Sequence, residues 1–127
     1  MQRVNYQAYN TNVYKQAHIK FYKSKTWQDT RKQILIAEPL CELCRVKGIV
    51  TVATSVDHIV AFRDKYDELA YEPDNLIGLC HKCHVDITNK EKYIKNKLLL
   101  LYYVRKCDLK EIREIKYSKR VSFIVNM

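Results

Sequence analysis

Cys41-Glu42-Leu43-Cys44 opens, and Cys80-His81-Lys82-Cys83-His84 closes, the stretch around which the rest of the chain is organised. Two C-x2-C pairs offer four thiolates, enough to close a tetrahedral zinc site and hold two distant segments together. A compact finger separates such pairs by roughly 15–20 residues. Here Arg45 to Leu79 lies between them, so the ion closes a large loop. Four thiolates leave no open position for water, and the role expected of this zinc is structural. The loop also carries Val56-Asp57-His58-Ile59 and Asp74-Asn75-Leu76, and His84 directly follows the last cysteine.

The flanking patterns give an α+β chain. Ile49–Ala53 and Val56–Val60 are rich in β-branched residues and read as short strands, and Asn75–Leu79 reads as another. Lys47-Gly48 supplies a turn, and residues 62–73 read as a charged loop without a period. From His81 onward no Gly or Pro appears. Cys83, Ile87, Ile94, Leu98 and Leu101 follow helical spacing, so a helix should begin in the second cysteine pair and run beyond residue 95. Upstream, Ser24 or Thr26 can cap a helix, with Thr26-x-x-Asp29 shaped like a capping box. Trp27, Ile34 and Ala37 share its expected core face, Arg31 and Lys32 lie off that face, and Pro39 ends it. Asp108-Leu109-Lys110-Glu111 reads as a further helix start, with Ile112 and Ile115 apolar, and Val121–Val125 as a closing strand. The order is strand, loop, strand, helix, laced by zinc.

The 127 residues carry a net charge of +9, and only two glycines and two prolines. One domain with terminal extensions is expected, with a modest core that a structural metal would help to stabilise. The charge is unevenly placed: +5 over residues 1–40, −3 over 41–91 and +7 over 92–127. An acidic centre able to hold divalent cations thus lies between two basic arms able to hold phosphates. In the first arm Tyr6, Tyr9, Tyr14, Phe21 and Tyr22 alternate with Arg3, Lys15 and Lys20. Such a pattern can follow a nucleic-acid backbone, or dock its aromatics on the domain. Five cysteines cannot all pair, no signal peptide is evident, and Leu98–Val104 is too short to span a bilayer. A reducing cytoplasm is expected, without membrane attachment, and Cys107 reads as a structural or incidental thiol.

Asp57 is a hard oxygen ligand suited to Mg2+ or Mn2+. His58 can take a proton from water if its pKa stays near neutrality. Strand side chains alternate, so the two cannot simply share a face. His84 is fixed in place by its neighbour Cys83. Asn75 is expected to bond the backbone and hold the long loop. His81 reads as an exposed residue near phosphate, and His18 has no context.

In order along the chain, Cys-x2-Cys, Val-Asp-His-Ile, Asp-Asn-Leu and Leu-Cys-x2-Cys-His resemble the HNH endonucleases, more narrowly the small phage and prophage members. The likeness runs over residues 21–91, from Phe21-Tyr22-Lys23-Ser24 and Trp27 through Pro39-Leu40-Cys41 to Ile87-Thr88-Asn89-Lys90-Glu91. It implies a ββα-metal (His-Me finger) core with two zinc knuckles, flanked by helices. It also implies residue roles: His58 as general base, Asn75 as the middle letter of the family name, and Asp57 and His84 as ligands of a catalytic divalent metal. Cys41, Cys44, Cys80 and Cys83 hold zinc. Thr88 stands where some members place another ligand, but Thr is a poor one, so two protein ligands are expected. Many members carry Pro and Gly-Gly after the Asp-His-Ile; Ala61 and Lys65-Tyr66 occupy that region here.

The expected division is a basic aromatic arm at 1–23, the nuclease domain at 24–96 and a basic extension at 97–127. The expected activity is hydrolysis of DNA phosphodiesters, by nicking or double-strand cleavage, leaving 5′-phosphate and 3′-hydroxyl ends. The resemblance makes DNA the partner and phage DNA packaging beside terminase or portal proteins a setting, with a monomer or weak dimer in the host cytoplasm. Two other readings stay open here. One is a non-catalytic, zinc-stabilised DNA-binding or packaging-accessory protein. The other is a redox enzyme built on the four cysteines, although no redox motif accompanies them.

Overall fold

β1 (Ser55–His58) and β2 (Leu76–Leu79) form a two-stranded antiparallel sheet, in register from Ser55 opposite Leu79 to His58 opposite Leu76. They belong to a computed structural model that describes residues 15–117. β1 ends at His58, two residues before its expected end, because the amide and carbonyl of Val60 bond the Asn75 side chain rather than a strand. Between the strands the loop makes two short 3-10 turns, Glu68–Ala70 and Pro73–Asn75. Asp67 caps the first by accepting from the Leu69 amide at 3.0 Å. Glu72 caps the second by accepting from the Asp74 amide at 3.3 Å.

Among the described residues the longer helices before and after the hairpin are α1 (residues 15–23), α2 (Lys25–Ala37), α4 (His81–Tyr103) and α5 (Leu109–Tyr117). The five-residue α3 (Glu42–Val46) follows Cys41 and carries Cys44. Ser24 caps α2, its Oγ accepting from the Trp27 amide at 3.3 Å. Asp29 pairs with Lys25 at 2.8 Å instead of reaching back, so no capping box forms. Trp27 is buried and Ile34 partly so, but Ala37 is exposed at the helix end. Of the aromatic arm, Phe21 enters the core and Tyr22 lies beside it. Arg3, Tyr6, Tyr9, Tyr14 and the strand expected at Val121–Val125 lie outside the described residues.

The strand expected at Ile49–Ala53 does not form. Val52 makes a single bridge with Leu40, while Ile49, Val50 and Val52 are exposed. β-branched residues favour strands where their side chains pack on a neighbour, and those of Ile49, Val50 and Val52 cover no buried face. The backbone bonds close the knuckle instead, from the Cys41 amide to Thr51 O at 2.7 Å and from the Ala53 amide to Pro39 O at 2.8 Å. Gly48 allows that turn with φ +78°. Gly78 allows β2 to pass close beneath it: an added Cβ would lie 3.3 Å from both Ala53 Cβ and Glu38 O.

α4 buries Cys83, Ile87, Ile94, Leu98 and Leu101, the set its helical spacing selects. It runs unbroken through residues 96 and 97 to Tyr103. After a turn through Lys106 at φ +57°, Asp108 caps α5 by accepting from the Glu111 amide at 2.8 Å. α5 folds back on α4, and its Ile112 is completely buried. Each such aliphatic burial stabilises the fold by about 1.5–3 kcal/mol. Among the described residues no helix is long and apolar enough to cross a membrane.

Candidate active site and metal centres

The four knuckle cysteines converge. Cys41 comes from the turn before α3, Cys44 from α3, Cys80 from the end of β2 and Cys83 from the first turn of α4. Their Sγ atoms all lie within 4.8 Å of one another, with Cys44 at 3.8 Å from both Cys80 and Cys83. An ion about 2.3 Å from each of four tetrahedral sulfurs sets those sulfurs about 3.8 Å apart, so the residues fit a structural zinc. Burial pushes the Cys41 thiol up, but hydrogen bonds from the Cys80 and Cys44 backbone outweigh it and bring Cys41 to about 7. Burial and the neighbouring thiols push Cys83 up. Thiols divided in this way release protons when a metal binds. Cys107 stands apart, half-buried beyond α4.

One residue past Cys83 the helix has turned, and His84 meets Asp57 of β1. His84 Nδ1 lies 2.7 and 2.9 Å from the two carboxylate oxygens. Both residues line one open cleft of about 420 Å³ with His58. Donors about 2.0–2.1 Å from a small octahedral cation stand about 3 Å apart at right angles. The pair therefore fits one divalent ion, with the cleft side open. Thr88 is a neighbour on the same helix face, but its hydroxyl donates to His84 O at 2.8 Å.

Asp57 and His58 alternate along β1 yet border the same cleft from two sides. His58 stacks on Trp27 with centroids 4.9 Å apart and packs on Phe62 at 4.5 Å. Its Nε2 lies 2.9 Å from Ala70 O. A carbonyl can only accept, so this nitrogen carries the proton and Nδ1 keeps its lone pair. Burial among these rings drives the His58 pKa down to about 4, below the near-neutral value that its sequence context implies. An arriving phosphate, being an anion, would favour the protonated form and bring the value back up.

Asn75 is completely buried and does not reach the cleft. Its Oδ1 accepts from the Val60 amide at 2.8 Å, while Nδ2 donates to Val60 O at 2.9 Å and Leu69 O at 2.8 Å. Its own carbonyl accepts from the Ile59 amide at 2.8 Å. The long loop is thereby tied to the residues just past His58.

Glu91 and Lys95 line the cleft without a role in the sequence reading. They are joined there by His18, which had no context, and by Arg31, which was expected to be open to solvent or phosphate. His18 stacks on Phe62 at 4.9 Å, and burial lowers its pKa. Arg31 donates to Thr54 O at 2.7 Å and borders the cleft on the α2 side. Glu91 and Lys95 continue the α4 face of His84 and Thr88, a repeat of three or four residues that could have identified them. His81 is exposed outside the cleft.

The sequence model of the HNH endonuclease family matches residues 41–90. A solved structure, the HNH endonuclease of the deep-sea thermophilic bacteriophage GVE2 with a manganese ion, is 31% identical. The match covers 67% of this chain and 92% of that one at a TM-score of 0.59. None of the curated proteins matches the chain.

Proposed function

The chain belongs to the HNH endonuclease family, and on that premise we propose that it hydrolyses DNA phosphodiester bonds with His58 as general base. The observation that carries the reading is the His58 ring: Nε2–H is engaged by Ala70 O, Nδ1 is left as an acceptor, and the residue lines the same cleft as Asp57 and His84. His58 would take a proton from water at Nδ1, while the Ala70 carbonyl keeps the ring in one tautomer. Trp27 and Phe62 hold the ring plane and exclude solvent from its faces. A divalent cation held by Asp57 and His84 would neutralise charge on the scissile phosphate and on the departing 3′ oxygen. Mn2+ accompanies the phage GVE2 enzyme, and the oxygen–nitrogen donor pair suits Mg2+ or Mn2+. Asn75 is a positioning residue, since it touches backbone only.

Arg31 and Lys95 flank the cleft and are placed to receive backbone phosphates, which supply affinity without sequence information. One such site cuts one strand, so a monomer nicks, and duplex cleavage requires two copies or two encounters. We assign the division into arm, nuclease domain and extension to one working unit. We place it in the cytoplasm of a phage host, where DNA processing beside the packaging machinery is the setting. Supercoiled plasmid with Mg2+, Mn2+ or EDTA tests the reading. Open circles formed only with the metals are expected, and retarded but uncut plasmid would move the chain to the accessory-protein reading.

A further inference from the structure

A lysine is almost never fully buried without a partner, and the Lys116 side chain has no exposed surface. It reaches from the last turn of α5 to the end of β1. Its ammonium donates to Ile59 O at 2.8 Å and to His58 O at 3.3 Å. The Glu91 carboxylate stands at 2.8 Å through Oε2 and 3.1 Å through Oε1. All three donor sites of the ammonium thus have acceptors, two of them the carbonyls at and just after the proposed base. Glu91 occupies the cleft-facing side of α4 together with His84. Lys116 lies beyond the residues that the family model matches.

Stability alone does not call for this arrangement. Replacing a buried ion pair with apolar groups of similar size is often neutral or stabilising. What the pair adds is directional: charge-assisted bonds fix two backbone carbonyls at the point where β1 ends. Asn75 holds the same turn through the amide and carbonyl of Val60. His58 leaves a backbone gripped from two elements far apart in sequence.

We infer that Lys116 is a positioning residue for hydrolysis, fixing the His58–Ile59 backbone from α5, so that a segment outside the family match completes the active site. This inference rests on His58 being the base. The test uses the full zinc-loaded chain with Lys116→Met, Glu91→Gln and His58→Ala, measuring zinc content, DNA affinity in Ca2+ and single-turnover kcat. Lys116→Met should keep zinc and bind DNA within about twofold, while kcat falls about 10- to 100-fold, the range of groups that orient catalytic ligands. The imidazole 15N spectrum of His58 should lose its single Nε2–H tautomer, a change that a purely stabilising lysine would not cause. Glu91→Gln weakens one bond of the clamp and should lower kcat about three- to tenfold. Wild-type kcat in both variants, with His58→Ala inactive, overturns the inference alone. Wild-type kcat in His58→Ala overturns the reading beneath it. Loss of zinc and fold in both clamp variants makes the pair structural and also overturns the inference.

Discussion

The two candidate metal centres share the first turns of α4 and differ in kind. The four sulfurs close a tetrahedron around a buried point, whereas Asp57 and His84 supply two donors and leave the rest to the cleft. A closed shell holds structure, and an open one can admit water and substrate. Cys83 and His84 are consecutive, so successive helix positions serve the two centres, one to each side. In the proposed mechanism the zinc would orient the helix that carries His84 without taking part in the chemistry.

Breaking the closed centre should have the largest effect. Structural zinc contributes an apparent 10–16 kcal/mol in small domains, comparable to the whole stability of a domain at about 5–15 kcal/mol. Chelating it, or making Cys44→Ser, should unfold the hairpin and α3; circular dichroism with zinc assay reads this. A folded, active, zinc-free chain would break the comparison. Opening the other centre should spare the fold. Asp57→Ala and His84→Ala should keep zinc and the melting temperature while cleavage falls by about 10²–10³, and titration with Mn2+ should show weakened metal dependence. Asn75→Ala lies between the two. It leaves buried backbone groups unpaired, each costing about 1–3 kcal/mol, so both the unfolding midpoint in urea and kcat should fall. The smallest effect is expected at Asp29→Asn, which breaks an exposed pair with Lys25 on α2. Plasmid nicking and thermal unfolding should stay at wild-type values.

The closed centre was legible because its ligands come as two local pairs whose spacing specifies the metal. The hairpin residues and α4 were legible for the same reason: Asp57, His58 and the Cys83-to-Leu101 face form local patterns. The wall around His58 was not. Trp27, His18 and Phe62 come from three separate segments, and any one of them reads only as a core aromatic. Lys116 was less legible still, because a lysine in a basic tail reads as solvated until α5 is seen folding back on α4. The failed strand at Ile49–Ala53 has the opposite cause. Its local propensity was correct for a strand, but the side chains of Ile49, Val50 and Val52 have no buried face to cover.

The central claim is that His58 activates water beside one divalent ion held by Asp57 of β1 and His84 of the zinc-fixed helix. The most direct measurement is single-turnover cleavage of a labelled DNA duplex in saturating Mg2+, comparing wild type with His58→Ala at equal zinc content and equal DNA affinity. A fall of about 10²–10⁴ in rate, the range for a positioned general base, is the predicted result. Equal rates in the two proteins would contradict the account.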